Sequence, residues 1–320
     1  MLEIDDWVIC PECKGSLRNE GRHYLCLKCR EQFPIEAGIP ILLPKKLSDF
    51  KKAEALFYSR QAESPSLSVL QRNFYRSSLY DRHLDLLPYQ FLSQNFLVLS
   101  LGGGTGLHGL NLVKHGCRVV ESDLAFKAVS KAKERYDCAS LAERAAFATI
   151  DAERIPFRSE LFDVVHICAA LHQLTEPLTA LKEIFRCLKS KGVLLLTGEP
   201  NAWFYQSLRP LASLLHLRAG QREEQSVGDE RNRGISKNRM KYLLKETGLA
   251  LKVLQPKYYL TGFLYHSTEA IYRLLPSRQK ERLTIRQWEV DILTAIDRIL
   301  QGIPVVKDYP FLWLVVAEKP

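Results

Sequence analysis

Short apolar runs alternate with amphipathic segments through the middle of the chain. In most intervals between these runs, apolar residues recur at the spacing of one helix face. Continuous apolar strands separated by amphipathic helices are typical of a parallel sheet that helices cover on both faces. The pattern therefore predicts an α/β fold with a doubly wound, mostly parallel sheet. The predicted strands are 96–101, 118–122, 146–150, 162–168 and 192–198, with helices near 106–115, 125–136 and 177–189.

The pattern changes on both sides of this central region. Residues 1–44, called the N-terminal module below, are rich in Cys, Gly and Pro and predict a compact ribbon. Residues 45–95 carry apolar positions at helical spacing and predict a helical connector. Residues 96–320 are interpreted as one domain with a lid insertion at about 201–235. Beyond that insertion we expect a helix at 236–247, a strand near 249–259 and a final strand at 311–319.

Composition and charge narrow the class of protein. The 320 residues have 46% hydrophobic content and a net charge of +9. No stretch approaches the ~18 apolar residues of a membrane span, and residues 1–7 carry acids where a secretory signal is basic. We therefore expect a cytoplasmic protein without a transmembrane segment. The positive excess lies late, because residues 201–320 hold 19 Lys and Arg against 12 Asp and Glu.

Four of the eight cysteines form two CxxC pairs separated by twelve residues. Tetrahedral zinc prefers four thiolates, and each CxxC turn brings two sulfurs to one ion. Four cysteines close the coordination shell, so the spacing predicts a structural zinc rather than a catalytic one. A module of this size is too small to be stable through core burial alone, and a bound metal ion supplies the additional stability that folding requires. The predicted ligands are Cys10, Cys13, Cys26 and Cys29.

A glycine-rich turn follows the first predicted strand of the central region. The stretch LSLGGGTGLHGL contains five glycines in twelve residues. A strand that enters such a turn and then a helix presents bare backbone and a helix N-terminus to a ligand. The dinucleotide pattern GxGxxG requires glycine at the position of Leu107, so the motif is GxGxG instead. Asp123 and Asp151 end the next two strands, at the same sheet edge, and Asp123 is placed to accept hydrogen bonds from two ribose hydroxyls.

These motifs together resemble the class I S-adenosylmethionine-dependent methyltransferases, of the type that includes the ubiquinone and menaquinone methylases. The resemblance covers VLSLGGGTG, RVVESDLAFKAVSKAKERY and the run from DAERIPF to LLLTGEPN, about residues 96–200, and the terminal FLWLVVAEKP resembles that family's last strand. It implies a Rossmann-like, seven-stranded sheet with an antiparallel last strand, and S-adenosylmethionine as cofactor. It places the loop Gly102, Gly103, Gly104, Thr105 and Gly106 at the methionine end, Asp123 at the ribose, and Asp151 with Ala152 near the adenine.

The sequence departs from the family at one position of this motif. The family has an acid two residues before the first glycine, where this chain has Ser100. A contact toward the methionyl amine of the cofactor is then weakened or mediated by water. The departure also leaves open the hypothesis that the protein binds the cofactor but is catalytically inactive.

Two histidines follow or lie within the fourth predicted strand of the central region. His172, just beyond it in ALHQL, is the candidate general base, with packing or capping of the loop as the alternative. His166 lies within the strand and is interpreted as a core histidine. Tyr58 of the connector is left outside the predicted site, because an aromatic residue at helical spacing is more often a core residue.

The N-terminal module also resembles a known protein. Its pattern, with PI, GIP and LL between residues 34 and 43, is similar to the small zinc-binding activator subunit that partners RNA and protein methyltransferases. Here the module is fused to the domain that it would activate.

The expected activity is methyl transfer to an O or N atom of a small-molecule, lipid-like or saccharide acceptor. The alternative is methylation of tRNA or rRNA, since residues 209–257 carry 11 Lys and Arg against 5 acids. The aromatic and apolar start of the lid also suits contact with a membrane surface, and a solvated basic face explains the charge equally well. The sequence identifies no protein partner. The densest basic positions are Arg231, Arg233, Lys237, Arg239 and Lys241.

Overall fold

The central feature of the protein is one mixed sheet. The computed structural model describes residues 1–63, 91–204, 206–207, 226–228, 234–264 and 286–320. Among these residues eleven strands form the sheet, in the order β1-β2-β3-β4-β7-β6-β5-β8-β9-β11-β10. The strands are β1 (Leu17–Asn19), β2 (His23–Cys26), β3 (Gln32–Glu36), β4 (Ile39–Leu42), β5 (Leu97–Leu101), β6 (Arg118–Asp123), β7 (Ala145–Ile150), β8 (Phe162–Cys168), β9 (Leu188–Pro200), β10 (Ala250–Lys257) and β11 (Leu312–Glu318).

Strands β5 to β9 confirm the predicted parallel core. All residues of β5 and β7 are buried, as expected for strands that are covered on both faces. The strand order runs outward from β5 in both directions, through β6 on one side and β8 on the other. At such a reversal the carboxyl ends of the strands border an open crevice. The antiparallel final strand is also confirmed, because β11 pairs antiparallel with both β9 and β10.

Local signals in the sequence explain where several helices begin and end. Helix α4 (Pro177–Cys187) starts at Pro177, whose fixed φ suits the first turn of a helix. The side chain of Ser236 caps α5 (Lys237–Thr247) by accepting a hydrogen bond from the Arg239 N–H, and Gly248 ends that helix at φ 78°. Helices include α1 (Asp49–Glu63), α2 (Leu107–Lys114), α3 (Phe126–Cys138), α4 (Pro177–Cys187), α5 (Lys237–Thr247) and α6 (Gln287–Leu300).

The N-terminal module continues the sheet. Its strand β4 pairs parallel with β7, with Ile41 opposite Thr149. A second connection runs through the first residues of the chain, where Leu2 N–H donates to the Ala145 carbonyl. The two parts share one hydrophobic core, which contains module and sheet residues together. The sequence predicts a module that precedes a seven-stranded sheet, whereas in the structure the four strands of the module extend that sheet.

Within the predicted helical connector at 45–95, the described part contains helix α1, which packs against α3. The predicted lid at about 201–235 lies mostly outside the described residues. Among the described helices, none combines the length and the apolar character needed to cross a bilayer.

Candidate active site

The glycine loop follows β5 and leads into α2 at the carboxyl edge of the sheet. Gly102, Gly104 and Gly106 have φ values of 66°, 57° and 75°, a region that glycine adopts without steric cost. A Cβ on Gly104 would meet no atom within 4 Å, so the main chain there faces open space. Thr105 accepts a hydrogen bond from Arg135 of α3 at 3.4 Å. The loop therefore presents bare backbone and a helix N-terminus, as the sequence predicts.

Asp123, the last residue of β6, faces this loop. Its Oδ2 accepts a hydrogen bond from Gly104 N–H at 2.9 Å, and its Oδ1 accepts one from Ala125 N–H at 2.9 Å. Burial raises the pKa of Asp123, and these backbone donors oppose that shift. Since a carboxylate has about four acceptor positions, two backbone bonds leave capacity for further donors such as a pair of hydroxyl groups.

Asp151 and Ala152 lie at the end of the neighbouring strand β7. Asp151 caps a short 3-10 turn by accepting a hydrogen bond from Glu153 N–H at 3.0 Å, and Ala152 is the first residue of that turn. Lys51 of α1 reaches the same place, with its Nζ 2.7 Å from Asp151 and 2.6 Å from Glu153. All three charged side chains are largely buried. Helix α1 therefore lies across the end of β7.

His172 lies in a 3-10 turn after β8 and is oriented by Glu199 of β9. The His172 Nδ1 is 3.0 Å from Glu199 Oε2. The fully buried Glu199 carboxylate also accepts hydrogen bonds from the N–H groups of Ala170, Leu171 and His172, at 3.0, 2.8 and 3.3 Å. A neutral His172 therefore donates through Nδ1 and has Nε2 in its acceptor form. One carboxylate thus sets both the shape of the turn and the tautomer of the ring.

Helix α1 also contacts the turn that carries His172. The Tyr58 hydroxyl accepts a hydrogen bond from Gln173 Nε2 at 2.7 Å. One turn earlier, Glu54 accepts a hydrogen bond from Gly228 N–H at 2.9 Å. The sequence predicts Tyr58 to be a core aromatic outside the site, whereas its hydroxyl contacts the turn beside His172. The connector and residues 226–228 thus meet over the carboxyl end of β8.

The four predicted zinc ligands converge in the N-terminal module. All four sulfur atoms of Cys10, Cys13, Cys26 and Cys29 lie within 4.8 Å of one another, with Cys13 and Cys26 3.5 Å apart and Cys10 and Cys29 3.7 Å apart. A tetrahedral ion with Zn–S bonds of about 2.3 Å places its sulfurs about 3.8 Å apart. Both CxxC turns end alike, with Lys14 and Arg30 at positive φ. The geometry fits a tetrahedral metal ion.

A family model decides the nature of the central region. Residues 99–196 match the model described as methyltransferase domain. This segment is therefore similar to known methyltransferase domains, and it is called the methyltransferase domain below. It contains the glycine loop, Asp123, Asp151 and His172, while Glu199, the connector and the N-terminal module lie outside the matched range.

Known proteins resemble the chain over this domain. The chain is 38% identical over 102 residues to the ubiquinone/menaquinone biosynthesis C-methyltransferase of Methylococcus capsulatus. The aligned residues make up 31% of this chain and 41% of that protein. The chain thus spans about two fifths of the length of the curated relatives it matches.

Solved structures share the fold of the methyltransferase domain. Haemonchus contortus phosphoethanolamine N-methyltransferase 2, in complex with S-adenosyl-L-methionine, has a TM-score of 0.55 at 18% identity, over 88% of this chain and 62% of that one. A complex of the Haloferax volcanii Trm112 methyltransferase activator with a methyltransferase has a TM-score of 0.52 at 16% identity, over 82% of this chain and 97% of that one.

Sequence reasoning missed two charged residues at the edge of the methyltransferase domain. Glu199 orients His172, and Lys51 pairs with Asp151. A signal for Glu199 exists, because it ends a predicted strand at the same edge as Asp123 and Asp151. The interpretation of His166 as a core residue is confirmed, since it is buried with Nε2 2.9 Å from the Thr197 hydroxyl. Burial lowers the pKa of His166 to about 3, so this ring is neutral at physiological pH.

The basic cluster that suggested nucleic acid is only partly described. Arg231 and Arg233 lie outside the described residues. The Lys237 ammonium pairs with Asp308, and the Arg239 guanidinium lies 5.3 Å from the centre of the Tyr242 ring. Lys237 therefore contributes less positive field to the surface than its place in the sequence predicts.

Proposed function

We propose that this protein is an S-adenosylmethionine-dependent methyltransferase that acts on a small, lipid-like acceptor. The observation that carries the proposal is the juxtaposition of the open glycine loop with Asp123, in a segment that matches a methyltransferase domain. The bare backbone of the loop fits a ligand that must approach closely, and a carboxylate at its side fits a ribose.

The cofactor would be held by residues of three neighbouring strands. Gly102 to Gly106 would contact its methionine end, Asp123 the ribose hydroxyls, and Asp151 with Ala152 the adenine. Bound S-adenosylmethionine supplies a methyl group on a sulfonium, ready for in-line displacement. The protein then has to orient the acceptor and exclude water, and α1 contributes by covering the carboxyl edge near Asp151 and His172.

His172 would remove the acceptor proton. Its Nδ1–H points to the buried Glu199 carboxylate, which stabilises the imidazolium that forms when Nε2 takes up a proton. This arrangement suits an acceptor hydroxyl or amine. It also suits a ring carbon beside a hydroxyl, since loss of the hydroxyl proton makes that carbon more nucleophilic. The name of the Methylococcus relative, ubiquinone/menaquinone biosynthesis C-methyltransferase, favours this last type of acceptor.

Cofactor binding is tested first, by isothermal titration calorimetry with S-adenosylmethionine and S-adenosylhomocysteine. We expect the wild-type protein to bind both. We expect Asp123→Ala to weaken both by about 10- to 100-fold, as for the loss of hydrogen bonds to a charged group. Asp137→Ala is the control, because Asp137 is partly exposed and pairs only with Lys133 among the contacts described. Absence of binding by the folded wild-type protein would refute the proposal.

The acceptor class is tested with methyl-labelled cofactor in cell extract. We expect the label in the organic-extractable fraction, and loss of labelling in His172→Ala. Glu199→Gln should retain binding of the cofactor and lose most of the transfer. Label that nuclease digestion releases would instead identify the protein as an RNA methyltransferase. Cofactor binding without any transfer would identify an inactive cofactor-binding protein.

In the N-terminal module, the four cysteines would hold a structural zinc ion. Four thiolates complete a tetrahedral shell and leave no position for water or substrate. The ion would therefore stabilise the module, and through β4 it would support the edge of the methyltransferase sheet.

A further inference from the structure

The five glycines of the loop and the first turn of α2 are required for two different physical reasons. Gly102, Gly104 and Gly106 are required by their positive φ. Gly103 and Gly109 are not: a Cβ there would meet the Glu121 carboxylate and the hydroxyl groups beside it, at 2.6 Å from Ser100 Oγ for Gly103 and 2.4 Å from the Tyr136 hydroxyl for Gly109. A Cβ on Gly103 would lie 1.7 Å from Glu121 Oε1, and a Cβ on Gly109 would lie 2.0 Å from Glu121 Oε2. Both positions must be glycine because the Glu121 carboxylate lies directly beneath the loop and the first turn of α2.

Glu121 is fully buried, and its carboxylate accepts hydrogen bonds from two hydroxyl groups. Ser100 of β5 donates to Oε1 at 2.7 Å, and Tyr136 of α3 donates to Oε2 at 2.7 Å. This side chain therefore connects four elements: β5, β6, α2 and α3. Burying a carboxylate costs several kcal/mol unless donors compensate, and two hydroxyl donors compensate only in part. Burial accordingly raises the pKa of Glu121 to about 7.

The position of Glu121 relative to Ser100 is set by the register of the sheet. The two residues are direct partners in the parallel pairing of β5 with β6. Their side chains therefore share one end of the sheet, under the loop. The Gly103 N–H donates to the Ser122 carbonyl at 2.9 Å and the Gly104 N–H donates to Asp123. A side chain packed beneath Gly103 thus acts on the very amides that set the position of Asp123.

We propose that Glu121 is a positioning residue, which holds the glycine loop in its cofactor-binding shape by presenting from β6 the carboxylate that β5 lacks at Ser100. This inference rests on the proposed function, because it concerns the same cofactor site. A hydroxyl donor and a carboxylate occupy paired positions, and what the loop requires is the pair rather than an acid on one particular strand.

The test is a carboxylate exchange between the two paired positions. We expect Glu121→Ser to weaken the binding of both S-adenosylmethionine and S-adenosylhomocysteine about tenfold, the loss expected for a charged hydrogen-bonding group. We expect Ser100→Glu combined with Glu121→Ser to recover both affinities to within about threefold of wild type. Glu143→Gln is the control, because Glu143 is exposed in the turn before β7. Binding is measured by calorimetry, and the fold is checked by circular dichroism and thermal unfolding.

The outcomes separate this inference from the proposed function. If folded Glu121→Ser binds both ligands within twofold of wild type, Glu121 has no positioning role. Folded exchange protein without recovery also overturns the inference. Should Glu121→Ser fail to fold, Glu121→Gln replaces it at pH 8, where the wild-type Glu121 is ionised; unchanged affinity in that variant at that pH is the refuting result. A wild-type protein that binds neither ligand refutes the proposed function itself.

Discussion

The buried acid beneath the glycine loop predicts a measurable pH dependence of stability. In the folded protein, burial raises the pKa of Glu121 to about 7 from an ordinary value of 4.5. Between these two values the folded state holds a proton that the unfolded state has released. Stability is therefore full below about pH 4.5 and falls as the pH rises through 7.

The size of this effect follows from the same two values. A shift of one pKa unit corresponds to about 1.4 kcal/mol, so ionisation of Glu121 costs about 3 kcal/mol between pH 4.5 and pH 8. Glu121→Gln has the shape of the protonated acid and does not titrate. We expect wild type and Glu121→Gln to have similar free energies of unfolding near pH 4.5. Near pH 8 we expect the variant to be about 3 kcal/mol more stable.

The assay is urea unfolding at several pH values, followed by circular dichroism and by tryptophan fluorescence, to which the buried Trp313 contributes. This residue is buried in β11, and its Nε1 donates to the Ile235 carbonyl at 3.1 Å. All other titrating groups are common to the two proteins, so the difference between their free energies isolates Glu121. A difference that stays constant from pH 4.5 to pH 8 would refute the reasoning. A stabilised variant with weaker cofactor binding would show that the acid is retained at a cost to stability.

Three further predictions concern other parts of the structure. Removal of zinc by a chelator, or Cys26→Ser, should lower the midpoint of thermal unfolding by about 5 °C or more. The control Cys138→Ser, outside the cluster, should not lower it, and equal midpoints with and without metal would contradict the zinc site. Lys51→Met should lower the free energy of unfolding by about 3 kcal/mol, because it leaves the buried carboxylates of Asp151 and Glu153 without their cation. Substitution of the exposed Lys52 by Met should lower it by under about 0.5 kcal/mol. Equal losses would mean that α1 is not anchored at Asp151 and Glu153. In denaturant unfolding, Gly106→Ala should destabilise the protein by about 2 kcal/mol more than Gly21→Ala. Both glycines have positive φ, but of the two only Gly106 would bring a Cβ to 2.7 Å from Ala132 Cβ. Equal destabilisation by the two substitutions would show that Ala132 does not crowd position 106.

The sequence by itself determined the elements of the central region and the edge at which the site lies. The spacing of hydrophobic residues along the chain is a local property. For this reason β5 to β9 and α2 to α4 agree with the predicted ranges to within a few residues. Because parallel strands end at one edge, the acids that follow them, Asp123 and Asp151, were expected to lie on the same side. The paired CxxC spacing likewise predicted the convergence of four sulfurs.

Only the tertiary structure decided which distant groups meet at that edge. Lys51 precedes Asp151 by 100 residues, and no local pattern relates them; their contact depends on where α1 crosses the sheet. The spacing of hydrophobic residues also does not predict the pairing of β4 with β7. Pairing at a sheet edge depends on which backbone N–H and C=O groups remain available after the sheet forms. The glycines illustrate the division most clearly: their spacing indicated a ligand loop, whereas the need for Gly103 and Gly109 comes from Glu121 on another strand, through space.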